Sequence, residues 1–167
     1  MANNITSSAI VAEVVSGSHV VKIDGYSRVK LMENGKYVSS VPFSVGGHSW
    51  FIKYYPNGNN TDSKDYLSVF LTLGSACAMA MKANFSFALL DKNGKSLQSY
   101  SQSHPLHTFT GKSSDFGYSK KLIKLEGSVH LMDDSFSIKI DVTVMKDICS
   151  KETTQKQFVV VPPGDLH

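Results

Sequence analysis

Two cysteines, Cys77 and Cys149, and six histidines, at positions 19, 48, 104, 107, 130 and 167, are the side chains of this 167-residue chain suited to nucleophilic attack or soft metal binding. Their spacing supports neither chemistry. No cysteine has a CxxC partner or a nearby histidine at zinc spacing. His104 and His107 come closest to a ligand pair, but three-residue spacing suits a helix face, and Pro105 between them argues against a helix. A nucleophilic Cys77 or Cys149 would need a base brought close in space, and a small buried thiol is the commoner state. The acidic pairs Asp133-Asp134 and Asp62/Asp65 lie beside turns, where Asp serves the backbone. GxSxG, HExxH, Walker and GxGxxG patterns are all missing. The chain therefore reads as a binding protein without metal or cofactor rather than as an enzyme.

A surface aromatic offers the alternative chemistry. In residues 66–73, Leu67, Val69, Leu71 and Leu73 share one face of an extended strand, and Tyr66, Ser68, Phe70 and Thr72 share the other. Phe70 thus stands among hydroxyls on a polar face, a large apolar area available to a partner. Coverage by a loop or a second sheet edge is the competing reading.

The elements that must position these groups are strands. Residues 20–23, 41–45, 50–55 and 66–73 are four candidates, with Pro42 suiting an edge. Residues 77–90 alternate as one long strand ended by Asn93-Gly94, although the Ala and Met of 76–82 also suit a helix. Phe136, Ile138, Ile140, Val142 and Val144 alternate strictly with Ser135, Ser137, Lys139, Asp141 and Thr143, the pattern of a half-buried strand. A last apolar run, 158–161, stops at Pro162-Pro163-Gly164. Residues 1–16 read as a flexible lead-in. Many short strands separated by Gly, Asn and Ser turns predict an all-β antiparallel sandwich.

Length allows one domain with a core of its own. Two cysteines do not build a disulfide framework, and no signal-like leader or membrane-length apolar run is present, so a soluble intracellular protein is expected. The formal net charge of +3 is not concentrated. Lysines 112, 120, 121 and 124 are interrupted by Asp115 and Glu126, a solvated face rather than a nucleic-acid track.

Several stretches resemble the MATH (meprin and TRAF homology) family, and specifically the MATH domain of grass-type plant MATH-BTB proteins. They are 17–27 around Val20-Val21-Lys22-Ile23, 43–50 with Gly46-Gly47-His48-Ser49-Trp50, and 52–58 with Tyr54-Tyr55-Pro56-Asn57-Gly58. Asp65-Tyr66-Leu67-Ser68-Val69-Phe70-Leu71, Phe85-Ser86-Phe87 and Phe116-Gly117-Tyr118 complete the set. The likeness covers residues 17–161 in order, with 162–167 similar to the connector that leads into a BTB domain absent from this chain. Whether the chain is a cut piece or a natural MATH-only product is left open.

The resemblance implies an eight-stranded TRAF-like β-sandwich that captures short, extended Ser/Thr-rich motifs of target proteins in a shallow groove by strand addition. In such proteins a BTB half dimerises and docks a cullin scaffold, so that the target is ubiquitinated; a nuclear or cytoplasmic location and a monomeric isolated domain follow. The alternative is a TRAF-like oligomerisation module without peptide binding. The family's groove positions fall on Phe70, Phe85, Phe116 and Tyr118, with Gly117 in the pairing edge. Ser114 and Asp115 would bond target hydroxyls. Alternation, by contrast, puts Phe85 on a core face unless a bulge near Met81 turns it outward. Leu106 or His107 occupies a further groove-aromatic position. Ser114 stands where the related animal adaptor, speckle-type POZ protein, has a lysine, leaving Lys112 as the neighbouring cation. Phe116 replaces the family's usual Trp and so lacks an indole N–H.

Overall fold

The computed structural model describes residues 3–64, 66–76, 80–103, 106–113, 115–120 and 133–153. Twelve strand segments lie in them: β1 (Ser7–Val11), β2 (Val14–Asp24), β3 (Val38–Ser39), β4 (Phe43–Val45), β5 (His48–Tyr55), β6 (Leu67–Leu73), β7 (Met81–Leu90), β8 (Ser96–Ser103), β9 (His107–Phe109), β10 (Asp115–Lys120), β11 (Ser135–Met145) and β12 (Cys149–Thr153). One sheet runs β2-β11-β7-β8, with β9 also on β7; the other runs β10-β6-β5-β3, with β4 also on β5. Every strand pair described is antiparallel.

The alternation read from the sequence forms the core. In β11, Phe136, Ile138, Ile140, Val142 and Val144 are buried against Ile23, Phe85, Phe87 and Leu89 of its neighbours. From the facing sheet come Trp50, Ile52, Tyr54, Leu67, Val69, Leu71 and Leu73. Trp50 meets Phe109 edge to face at 5.1 Å, and its indole N–H donates to the Val45 carbonyl at 3.1 Å, so its polar atom is satisfied inside the sandwich. Between β4 and β5, Gly46 has φ 65° and a Cβ there would strike the Val144 side chain. Only a residue without one makes that turn against the core.

Three expectations need correction. The lead-in is structured: β1 pairs with β12 from Ser7 opposite Thr153 to Val11 opposite Cys149, and β2 begins at Val14. Its partner lies some 140 residues away, so no local pattern announces it. Cys149 is exposed rather than a buried thiol. A single helical turn, α1 (Tyr26–Val29), follows Gly25, whose φ is 78°. The Asp134 carbonyl receives the Gly25 and Tyr26 N–H groups and its carboxylate receives the Ser27 N–H and hydroxyl. The long strand begins at Met81 within the described residues; Cys77 and the run 158–161 lie outside them.

Candidate functional site

Among the described residues β10 is an edge strand: it pairs with β6 alone, Asp115 opposite Thr72 through Lys120 opposite Leu67, and no described strand takes its other row of backbone groups. Alternation sorts its side chains. Phe116 lies opposite Leu71, on the row facing into the sandwich, while Asp115 and Gly117 lie opposite Thr72 and Phe70 on the outer row; the register runs on through Lys120 opposite Leu67.

The inner row is closed by a ring pair between the sheets. The His107 imidazole on β9 lies flat on the Phe116 ring, 4.0 Å between centroids and 5° between planes. His107 also meets Phe109 edge to face at 4.9 Å, and Phe109 in turn meets Trp50, so the stack is buttressed from the core. Of the two candidates for the further groove position, His107 is the one in this ring stack. Leu106, one residue earlier, is instead exposed at the rim.

On the outer row, Gly117 sits against Phe70. A Cβ there would overlap the Val69 carbonyl oxygen and lie 2.5 Å from Phe70 Cα, so the close approach of β10 to β6 demands glycine. Phe70 is half-buried and meets Tyr55 edge to face at 5.5 Å. The polar side of its strand is less open than its hydroxyls suggested: Ser68 and Thr72 are fully buried, and the Ser68 hydroxyl donates to Asn59 in the loop over it. Phe70 itself stays partly exposed between them.

The remaining positions separate. Phe85 is only 3% exposed, and the register of β7 runs without a bulge from Met81 through Leu89 against β9 and β11. Its ring belongs to the core, as alternation indicated, and not to an exposed groove floor. Lys112 is exposed in the turn before β10. Ser114 lies outside the described residues, as does the Tyr118 side chain.

Sequence reasoning missed Lys53. Its ammonium lies 3.1 Å from Asp115 Oδ2 and 4.9 Å from the centre of the Tyr37 ring, which itself meets Tyr55 at 5.3 Å. Burial pulls the Lys53 ammonium's pKa down, but the hydrogen bond and charge of Asp115 outweigh it and raise it overall. Among the described residues Asp115 Oδ1 has no protein donor, so one oxygen is fixed and the other can accept from a ligand. The phase of Phe51, Lys53 and Tyr55 against buried Trp50, Ile52 and Tyr54 was the available signal; it places Lys53 on the face of Phe70 once β5 and β6 pair. No group of three or more His, Cys, Asp or Glu residues able to hold a metal occurs among the described residues.

The β10 edge, unpaired on one side among the described residues, has the His107–Phe116 ring pair on one face and the Lys53–Asp115 pair on the other. The MATH domain model matches residues 18–142. The chain belongs to the MATH domain family, which consists of interaction domains and not enzymes. It is similar to three proteins of Arabidopsis thaliana: BTB/POZ and MATH domain-containing protein 5, 35% identical over 178 residues (96% of this chain, 41% of the relative), protein 6, 36% over 176 (96% and 40%), and protein 3, 35% over 166 (90% and 38%). The chain spans about two-fifths of the length of these curated relatives.

Proposed function

We propose that this domain is the target-recognition module of an adaptor for a cullin-based ubiquitin ligase, capturing a short Ser/Thr-rich segment that adds as a strand to β10. The observation that carries the reading is the pairing of β10 on one side alone among the described residues. A peptide there gains backbone hydrogen bonds along the edge and directs alternate side chains to the His107–Phe116 ring pair and to the Asp115, Gly117 and Phe70 row. Small hydroxyl side chains suit the outer row, where Gly117 leaves little depth and Asp115 Oδ1 accepts. Ordering a flexible peptide offsets much of this gain, so affinity is modest. The cullin would be reached through a BTB domain outside this chain, as the names of the relatives suggest, in the nucleus or cytoplasm.

Scanning a bound Ser/Thr-rich peptide with single N-methylated residues tests strand addition. Binding should be lost at every second position, where the amide faces β10, and kept between them. Uniform tolerance overturns the reading. A stable dimer by light scattering that binds no peptide would replace it with assembly through the same edge.

A further inference from the structure

A concavity of about 750 Å³ opens between the start of β7, Leu106 just before β9 and residues 144–148 at the end of β11. Its walls include Met81, Leu106, Val144 and Ile148, with Lys82 and Lys146 among its polar groups. Ile148 and Leu106 are 69% and 47% exposed, so the wall is apolar surface left in water. The cleft adjoins the β10 edge along the chain in two places. Leu106 precedes His107, whose ring lies on Phe116, and the turn before β10 is tied by Ser113 N–H to the Leu73 carbonyl at 2.8 Å, three residues before Ala76 in the cleft wall.

We propose that this cleft takes the residues that follow the strand-paired core of the same target segment, an apolar side chain accompanied by acidic ones; the inference rests on the β10 reading above. The target strand is taken as antiparallel to β10. Every strand pair described is antiparallel, and a strand antiparallel to β10 enters beside Lys120 and leaves past Asp115, toward the cleft. Three or four further extended residues reach roughly 10–13 Å. Charge selects the flank. Lys82 and Lys146 line the cleft and Lys112 is exposed in the adjoining turn, against the single carboxylate of Asp147; Lys146 also donates to the Gly46 carbonyl, which fixes it there. Acidic flanks are attracted and basic ones repelled.

The test is a bead-displayed library with a fixed six-residue Ser/Thr core and four randomised positions on either its N-terminal or its C-terminal side. Selection is run on the wild-type chain and on an Ile148→Ser, Lys82→Glu variant, both changes being at exposed positions. The expected result is enrichment of apolar residues with Asp or Glu on the C-terminal side, binding about tenfold tighter than the core alone, with that gain lost in the variant while core binding persists. Enrichment confined to the N-terminal side, no enrichment, or a gain unchanged in the variant overturns the cleft. A core peptide that binds neither protein overturns the β10 reading itself, and the cleft assignment with it.

Discussion

His107 and Phe116 lie face to face at 4.0 Å and 5°, joining β9 of one sheet to the edge strand of the other. The pair holds the β10 edge at a fixed height over the core, so its loss should register both in stability and in binding.

His107→Ala should lower unfolding free energy by about 1 kcal/mol, the scale of an aromatic pair. Peptide affinity should fall about five- to tenfold, since about 1.4 kcal/mol is a factor of ten. His107→Phe, which keeps a flat ring, should restore most of both. Denaturant unfolding and fluorescence anisotropy measure the two effects; equal loss in the Ala and Phe variants would show that the ring stack is not what matters.

Gly117→Ala tests the close approach of β10 to β6. The added methyl meets backbone on the facing strand, which cannot rotate away, so a cost of about 3 kcal/mol is expected. Hydrogen exchange should quicken along residues 115–120 and 67–72 while β2 and β11 stay protected. Unchanged protection of β10 would refute the contact.

Tyr54→Phe should stabilise the fold. The Tyr54 hydroxyl is buried without a hydrogen-bond partner among the described residues, and such a group costs about 1–3 kcal/mol. Burial first, then the neighbouring Tyr26, pushes its phenol well above the ordinary 10.0. The folded chain therefore keeps a proton that the unfolded chain releases, and the associated stability, complete below pH 10.0, declines as pH rises beyond it. The variant should show a shallower alkaline decline, with Tyr26 and Tyr55, both also raised, supplying what remains. Identical alkaline slopes in the two proteins would contradict the assignment.

Local pattern carried the sandwich well and the site incompletely. The strict alternation of 135–144 needs one wet and one dry face, and β11 has both. The same rule placed Phe85 inside, where a likeness by position had put it in the groove. What stayed illegible depends on register between distant strands. The Lys53–Asp115 pair joins residues 62 apart, and the His107–Phe116 stack crosses from one sheet to the other. The Asp133-Asp134 turn was expected, but the second carboxylate's hold on Ser27 requires knowing that α1 returns to it.

The β1–β12 ribbon has a mechanical corollary. Ser7 and Thr153 form its outermost pair, so tension applied through both flanking segments pulls its two strands apart from the same end. Its rungs would then open singly and in order at low force, ahead of the eleven-residue seam between β2 and β11. The ribbon would yield first under such a load, while the pairing of β10 with β6 keeps its register.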